Sequence, residues 1–160
     1  MEMSEQQSKR MIKPTDRKKK ADLKKQTADL KKQVSEAIAA CQDKKAEEIT
    51  ILEMEAGSGA FTDYFVVCNG TNAKQIQSIA DEVEDRLEAA GHRPVNKEGY
   101  KQAEWVLLDY LNFVVHIFTE KARKYYDLER LWKTAKRLEP GELKAVRKRA
   151  AVSTAKKKRA

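Results

Sequence analysis

The sequence predicts a single α/β domain, with a mixed sheet of about five strands flanked by helices. The first sign is a pair of short runs, Trp105–Leu108 and Phe113–Phe118, which are rich in β-branched and aromatic residues. Because only Asp109–Asn112 separates them, they are expected to form paired strands. A second sign is Tyr64–Cys68, which is apolar throughout, as expected of a central strand covered on both faces. Helical patterns before, between and after these runs complete the α/β arrangement.

The N-terminal part of the chain should be disordered up to Pro14 and then form one helix from about Thr15 to Gln42. Steps of three and four place a set of mostly apolar residues on one helix face. These residues are Leu23, Thr27, Leu30, Val34, either Ala37 or Ile38, and Cys41. A strand over Ile49–Met54 follows, and Gly57–Gly59 then forms a loop.

The segment after Asn69-Gly70 predicts a second helix. Asn72 followed by Gln75 resembles a capping box, with Thr71 as a competing cap, and Gly91 ends the helix. Its apolar stripe is Ala73, Ile76, Ile79, Ala80, Val83, Leu87 and Ala90. Pro94–Lys97 should be a short edge strand, because proline is best tolerated at a sheet edge.

The last predicted element is one helix from about Glu120 to Leu138, ended by Pro140-Gly141. Its apolar face would carry Leu128, Leu131, Trp132, Ala135 and Leu138, with Tyr125 at the border. Tyr126 falls outside this stripe.

Charge divides the chain into three parts. Residues 1–35 carry 11 basic and 5 acidic residues, and residues 140–160 carry 8 and 1, so the middle has 14 basic against 19 acidic. The sequence therefore predicts a basic extension over 1–33 that is partly disordered or helical, a body over 34–139, and a basic tail over 140–160 that is expected to be disordered. Basic tails commonly meet an anionic polymer, although many are only solvated.

Cysteine and histidine usage argues against disulfides and zinc. Cys41 and Cys68 lie in apolar surroundings and form no Cys-x-x-Cys pair, which predicts buried thiols in a reducing compartment. Neither His92 nor His116 lies at ligand spacing from a cysteine. With neither a signal peptide nor an apolar run long enough to span a membrane, the expected location is the cytoplasm.

Catalytic chemistry finds little support. Gly57-Ser58-Gly59 lacks a Walker lysine and the third glycine of a dinucleotide fingerprint. Nucleotidyl transfer would need paired carboxylates after this loop, and none of Asp63, Glu104 and Asp109 has a carboxylate two positions away. Glu53 and Glu55 have that spacing but precede the loop. We therefore expect no metal, no cofactor and no enzymatic activity.

The first strand of the central pair has an unusual face. Alternation places Trp105, Leu107 and Asp109 on one side, opposite Val106 and Leu108. One interpretation is a second core layer, in which a helix covers Trp105 and Leu107 while Asp109 caps a turn. The other is a partner-binding surface, since an indole, a leucine and a carboxylate suit an interface. From the residues alone, the core interpretation is favoured.

Six motifs together resemble the ribosomal silencing factor family, also called Iojap-like, over about Val34–Leu138. They are Phe61–Val66 with Gly70-Thr71, Ile79–Asp81, Glu98–Tyr100, Glu104–Tyr110, Val114–Phe118 and Tyr126–Trp132. The resemblance implies a mixed sheet flanked by helices, related to nucleotidyltransferases but without their metal carboxylates. It also implies a non-enzymatic repressor of translation. Such a factor binds the large ribosomal subunit at the protein numbered fourteen on the intersubunit face and blocks joining of the small subunit.

The family's contact surface corresponds to Trp105, Leu107 and Asp109, so the resemblance favours the surface interpretation of that face. Weaker candidates nearby are Tyr100, Lys101, Tyr110 and Tyr126. The chain departs from the family pattern in its basic extensions and at Tyr110–Asn112, where many members have a tighter turn. Contacts of the extensions to ribosomal RNA phosphates, and a homodimer, stay open.

Overall fold

The computed structural model describes residues 14–143, with side chains from residue 18 onward. The predicted disorder before Pro14 and most of the predicted C-terminal tail lie outside the described residues. The chain divides into two compact units, residues 1–32 and residues 33–160. Helix α1 runs over Pro14–Asp43, close to the predicted bounds. Within the first unit the side chains of residues 18–29 are exposed, including Leu23 at 60%.

The second unit contains a six-stranded mixed sheet, one strand more than predicted. Its order across the sheet is β3-β4-β5-β2-β1-β6, with β2 parallel to β5 and every other pair antiparallel. The strands are β1 Glu47–Glu53, β2 Tyr64–Gly70, β3 Asn96–Glu98, β4 Trp105–Asp109, β5 Phe113–Thr119 and β6 Lys136–Leu138. The helices after α1 are α2 Ala73–Ala89, α3 Glu120–Tyr126, α4 Leu128–Leu131 and α5 Pro140–Leu143. The predicted α/β class, the central position of β2 and the edge position of β3 are confirmed.

Strand β2 is apolar throughout because both of its faces are covered. Val66 and Cys68 point to the face that packs on α1, where Cys41 and Cys68 are fully buried free thiols with their Sγ atoms 3.9 Å apart. Val67 points to the opposite face and is also fully buried. The contact with Cys68, together with burial, raises the pKa of the Cys41 thiol.

Helix α2 begins and ends where the sequence predicts. Asn72 is the N-cap, and its side-chain oxygen accepts a hydrogen bond of 2.8 Å from the Gln75 amide. The Gln75 side chain returns to the Thr71 amide at 2.7 Å, so the box closes one residue earlier than the standard pattern. Gly91 has φ +91°, the left-handed conformation expected just after a helix.

The prediction of one helix over Glu120–Leu138 is wrong. The chain forms α3, turns at Asp127 with φ +45°, forms the single turn α4, and then adds β6 to the sheet. Leu138, predicted on the helix face, lies opposite Ile51 in the β1–β6 pair. Aspartate tolerates the left-handed conformation better than most residues, so it can break a helix without glycine.

A buried arginine explains why the chain turns at this point. The Arg123 guanidinium pairs with Glu129 through two bonds of 3.2–3.3 Å. It also donates to Asn69 Oδ1 at 2.8 Å and Thr50 Oγ1 at 3.2 Å, and to the Glu48 carbonyl. A straight helix would point residues 123 and 129, six apart, in divergent directions, since helix neighbours are three or four apart. The turn at Asp127 brings Glu129 back to the arginine and ties α3 and α4 to β1 and β2.

Candidate protein-binding face

The β4–β5 pair presents one face toward α2 and another away from it. Register pairs Trp105 with Phe118, Leu107 with His116 and Asp109 with Val114, and these six residues define what we call the outer face. Val106 and Leu108 lie on the opposite side and are fully buried. The predicted alternation along β4 is therefore confirmed.

Trp105 is half-buried at the edge of a small core on the side of the sheet opposite α2, which we call the second core. Its ring lies 5.0 Å from Phe118 and 4.5 Å from Tyr126 between centroids. The core beneath this face is formed by Leu52, Val67, Phe118 and Leu128, and Trp105 and Trp132 pack against it. The inner edge of the indole therefore packs on a core, as the core interpretation predicts, while the rest of the ring stays accessible to a partner.

His116 fixes the orientation of that indole. Trp105 Nε1 donates a hydrogen bond of 3.0 Å to His116 Nδ1, so the imidazole carries its proton on Nε2. The ring is 3% exposed, and burial lowers the pKa of His116 to about 3. Nε2 has no hydrogen-bond partner among the described residues. A neutral, buried histidine is therefore the partner of the tryptophan.

Leu107 and Asp109 continue the outer face beyond the second core. Both are half-buried, and neither belongs to the cluster formed by Leu52, Val67 and Phe118. Asp109 Oδ1 accepts a hydrogen bond of 2.8 Å from the Leu111 amide, which confirms that this carboxylate caps a turn. Its second oxygen has no partner in the described part of the chain, so the charge remains available.

The four weaker candidates separate into different places. Tyr126 is 47% exposed beside Trp105 and so extends the outer face. Tyr110 lies on the opposite side, 7% exposed and stacked on Phe113, and burial raises the pKa of its hydroxyl. It cannot reach a partner that docks on the outer face.

Tyr100 also points away from the outer face. Its hydroxyl donates to the carboxylate of Asp81 on α2 at 3.0 Å, a bond that raises the pKa of the phenol. The Lys97 ammonium lies 4.1 Å from the centre of its ring. Lys101 next to it is exposed. The fold therefore places Tyr100 on the α2 side of β4, apart from Trp105.

The loop before β4 depends on a glycine. Gly99 has φ +78°, and a Cβ atom there would lie 2.0 Å from the Trp105 carbonyl oxygen. The loop is closed by the Ala103 amide, which donates to the Gly99 carbonyl at 2.9 Å. Only glycine allows this approach, so Gly99 helps to place the start of β4 and with it the indole.

A groove at the other end of the outer face was not predicted as a site. It has a volume of about 310 Å³, and its walls include Phe61, Phe65, Leu111, Val114 and Trp132. Asp109 is the charged residue of its lining. Phe61 belongs to one of the family-like motifs, but an aromatic residue in a glycine-rich loop gives no periodic signal. Its exposure becomes evident only once the loop is placed.

Neither a metal-binding cluster nor a membrane-spanning helix is found among the described residues. No group of three or more His, Cys, Asp or Glu side chains among them could hold a metal ion. No described helix is both long and apolar enough to cross a membrane.

Comparison with known proteins decides the family. The family model described as "Ribosomal silencing factor during starvation" matches residues 27–160. The chain belongs to the ribosomal silencing factor family. This membership assigns it a ribosome-associated role in silencing translation, as a regulator and not an enzyme.

Individual relatives agree with this assignment. The ribosomal silencing factor of Bacillus subtilis is 46% identical over 96 residues, covering 60% of this chain and 80% of that protein. A crystal structure of a Chromobacterium violaceum protein matches with a TM-score of 0.61 and 32% identity, covering 64% of this chain and 84% of that one. A mouse protein named for mitochondrial assembly of the ribosomal large subunit is 24% identical, covering 59% of this chain and 42% of that one.

Proposed function

We propose that this chain represses translation by binding the large ribosomal subunit in the cytoplasm and preventing the small subunit from joining. The binding partner would be the large-subunit protein numbered fourteen, on the intersubunit face. The outer face, with Trp105, Leu107 and Asp109 and with Tyr126 beside them, would make the contact.

The observation that carries the proposal is the composition of the accessible part of the outer face. A half-buried indole held in one orientation, next to a half-buried leucine, forms a rigid apolar anchor. Anchors of this kind lose little side-chain entropy on binding and often dominate the energy of an interface. Asp109 adds a carboxylate at the rim, which would complement a basic ribosomal protein.

Charge on the whole body supports the same partner. Residues 36–139 carry 19 acidic and 14 basic residues, so the sheet-bearing part is acidic. An acidic body is attracted to a basic protein surface and repelled by bare RNA. This favours a ribosomal protein over ribosomal RNA as the partner of the body. The mouse relative's name, which refers to the large subunit, points to the same half of the ribosome.

Sedimentation with separated ribosomal subunits tests the proposal. The chain should pellet with purified large subunits and remain in the supernatant with small subunits. Addition of the chain before mixing should also reduce formation of joined ribosomes. Binding to small subunits alone, or binding to large subunits without any effect on joining, would contradict the proposed mechanism.

A further inference from the structure

The groove next to Asp109 is flanked by exposed apolar side chains and by a residue with a strained backbone, and neither feature stabilises the free chain. We call it the hairpin groove, because it lies between the loop at Phe61 and the β4–β5 turn at Leu111. Phe61 is 102% exposed and Leu111 is 62% exposed. Two large apolar side chains therefore flank an apolar groove without being buried by the described part of the chain.

Leu111 is also held in an unfavourable backbone conformation. Its φ is +74°, the left-handed region that glycine and asparagine adopt far more readily than leucine. The turn is fixed by bonds that do not involve the Leu111 side chain. The Tyr110 amide donates to the Phe113 carbonyl at 2.9 Å, and the Leu111 amide donates to Asp109 Oδ1 at 2.8 Å. A leucine at this position strains the backbone and packs little, a combination that points to a role outside the folding of the chain.

The hairpin groove is continuous with the outer face. Asp109 lines the groove and is also the third outward residue of β4, after Trp105 and Leu107. At ~3.3 Å per residue, the strand carries the surface about 13 Å from Trp105 to Asp109. A partner that covers Trp105 and Leu107 would reach the groove with a short extension.

We propose that the hairpin groove binds an apolar side chain of that same partner, next to a lysine or arginine that pairs with the second oxygen of Asp109. The groove supplies apolar walls and one carboxylate, which matches a basic protein segment carrying one exposed apolar residue. The inference rests on the proposed function for the partner's identity. It adds a second contact in this chain, centred on Phe61 and Leu111, to the one at Trp105.

Two substitutions test the groove without disturbing the core. Phe61→Ser removes a fully exposed ring, and Leu111→Asn removes the apolar side chain while favouring the left-handed turn. Leu111→Asn should therefore melt at the same temperature as the wild type or higher. Each variant should bind purified large subunits about 10-fold more weakly at fixed salt, and the double variant about 100-fold more weakly. Leu131→Asn is the matched control, because Leu131 is 69% exposed and lies outside the groove lining. It should bind within about twofold of the wild type.

Asp109→Asn tests the charge separately. Asparagine can still accept the bond from the Leu111 amide, so the turn should persist while the negative charge is lost. The variant should bind more weakly than the wild type at low salt, and the difference should shrink at high salt.

The outcomes separate this inference from the proposed function. If the double variant binds large subunits as tightly as the wild type while Trp105 variants lose binding, the groove inference falls and the proposed function stands. If the wild type does not bind large subunits, both fall. Lowered melting of Leu111→Asn in proportion to its binding loss would make Leu111 a structural residue and overturn the inference. A wild-type homodimer abolished by the double variant, with large-subunit binding unchanged, would assign the groove to a second copy and also overturn it.

Discussion

Trp105 serves both the second core and the proposed interface, so its substitutions must be judged by two measurements. Its indole packs on Phe118 and Tyr126 and donates to His116. Removing it leaves a cavity at the edge of the core and an unsatisfied imidazole nitrogen. Binding loss in a Trp105 variant is therefore informative only next to its melting curve.

For Trp105→Ala we expect a loss of about 2–3 kcal/mol in the free energy of unfolding, because a half-buried ring and a buried hydrogen bond are both removed. Affinity for large subunits should fall ~30- to 1,000-fold in the fraction that remains folded. Leu107→Ser is the comparison, since Leu107 lies outside the second core and should cost about 1 kcal/mol of stability. Denaturant titration and subunit binding on both variants separate the effects. Unchanged stability of Trp105→Ala would show that the indole does not support the fold.

His116 predicts a pH dependence of stability. Its folded-state pKa of about 3 lies below the ordinary value of 6.5, so the unfolded chain takes up the proton first as pH falls. Stability from this group is present above pH ~6.5 and is lost toward pH ~3, by up to about 1.4 kcal/mol per pH unit. His116→Gln keeps an acceptor for the indole but does not titrate. The unfolding free energy of the wild type should therefore fall relative to that of His116→Gln as pH falls from 7 to 4. A difference that stays constant would contradict a buried neutral imidazole.

At the scale of elements, the single helix predicted over Glu120–Leu138 does not form, because contacts outside this segment break it. The apolar spacing of this segment fits a helix, and the residues themselves permit one. What breaks it is a buried network between Arg123, Glu129, Asn69 and Thr50, whose members lie up to 79 positions apart in the sequence. Patterns within one segment cannot report such contacts. By contrast, the sequence predicts the start and end of α2 correctly, because Asn72, Gln75 and Gly91 act locally.

In the candidate site, too, the features that depend on neighbouring residues can be predicted from the sequence, and those that depend on packing between elements cannot. Alternation along β4 placed Trp105, Leu107 and Asp109 on one face, because strand periodicity is local. It could not show that His116 holds the indole or that Tyr126 lies beside it, since both contacts depend on how β5 and α3 pack. Tyr110 follows Asp109 directly in the sequence, but its side chain lies on the other side of the sheet and is buried.

Arg123→Met should destabilise the fold by about 2–4 kcal/mol, because Glu129 keeps only its pair with the exposed Arg137 while Asn69 Oδ1 and the Glu48 carbonyl lose their donor. The side chains of Arg123 and Glu129 are only 10% and 14% exposed in their ion pair. Arg130→Met, a substitution of the same kind at an exposed position seven residues later, should change stability by less than about 0.5 kcal/mol. Urea unfolding of the two variants makes the comparison. Equal stability would mean that the turn at Asp127 forms without the arginine.

At the scale of the whole molecule, charge separates the ends of the chain from the sheet. Residues 1–32 carry 11 basic and 5 acidic residues, and residues 144–160 carry 8 basic and no acidic residues. Leu143 is 6% exposed in the short helix Pro140–Leu143, so the part that packs with the sheet extends to that residue. A truncation that spares the body should therefore end at residue 143.

Removing residues 1–32 and 144–160 should flatten the salt dependence of binding to large subunits if these segments contact RNA phosphates. Each duplex phosphate contacted contributes roughly −0.9 to the slope of log affinity against log salt, so three lost contacts change it by about 2.7. The choice of large over small subunits should survive, because we place it in the body. Loss of all large-subunit binding at low salt would show that the extensions also carry recognition.

The most direct test of the central claim is light scattering of subunit joining with Leu107→Arg. Leu107 is half-buried on the outer face, so arginine can extend into solvent without entering either core, and it would oppose a basic partner. Leu131→Arg, at an exposed position on α4, is the control. We predict that wild type and Leu131→Arg block joining at the same concentration, while Leu107→Arg remains folded and fails to block it. A folded Leu107→Arg protein that blocks joining as well as the wild type would remove the outer face from the mechanism.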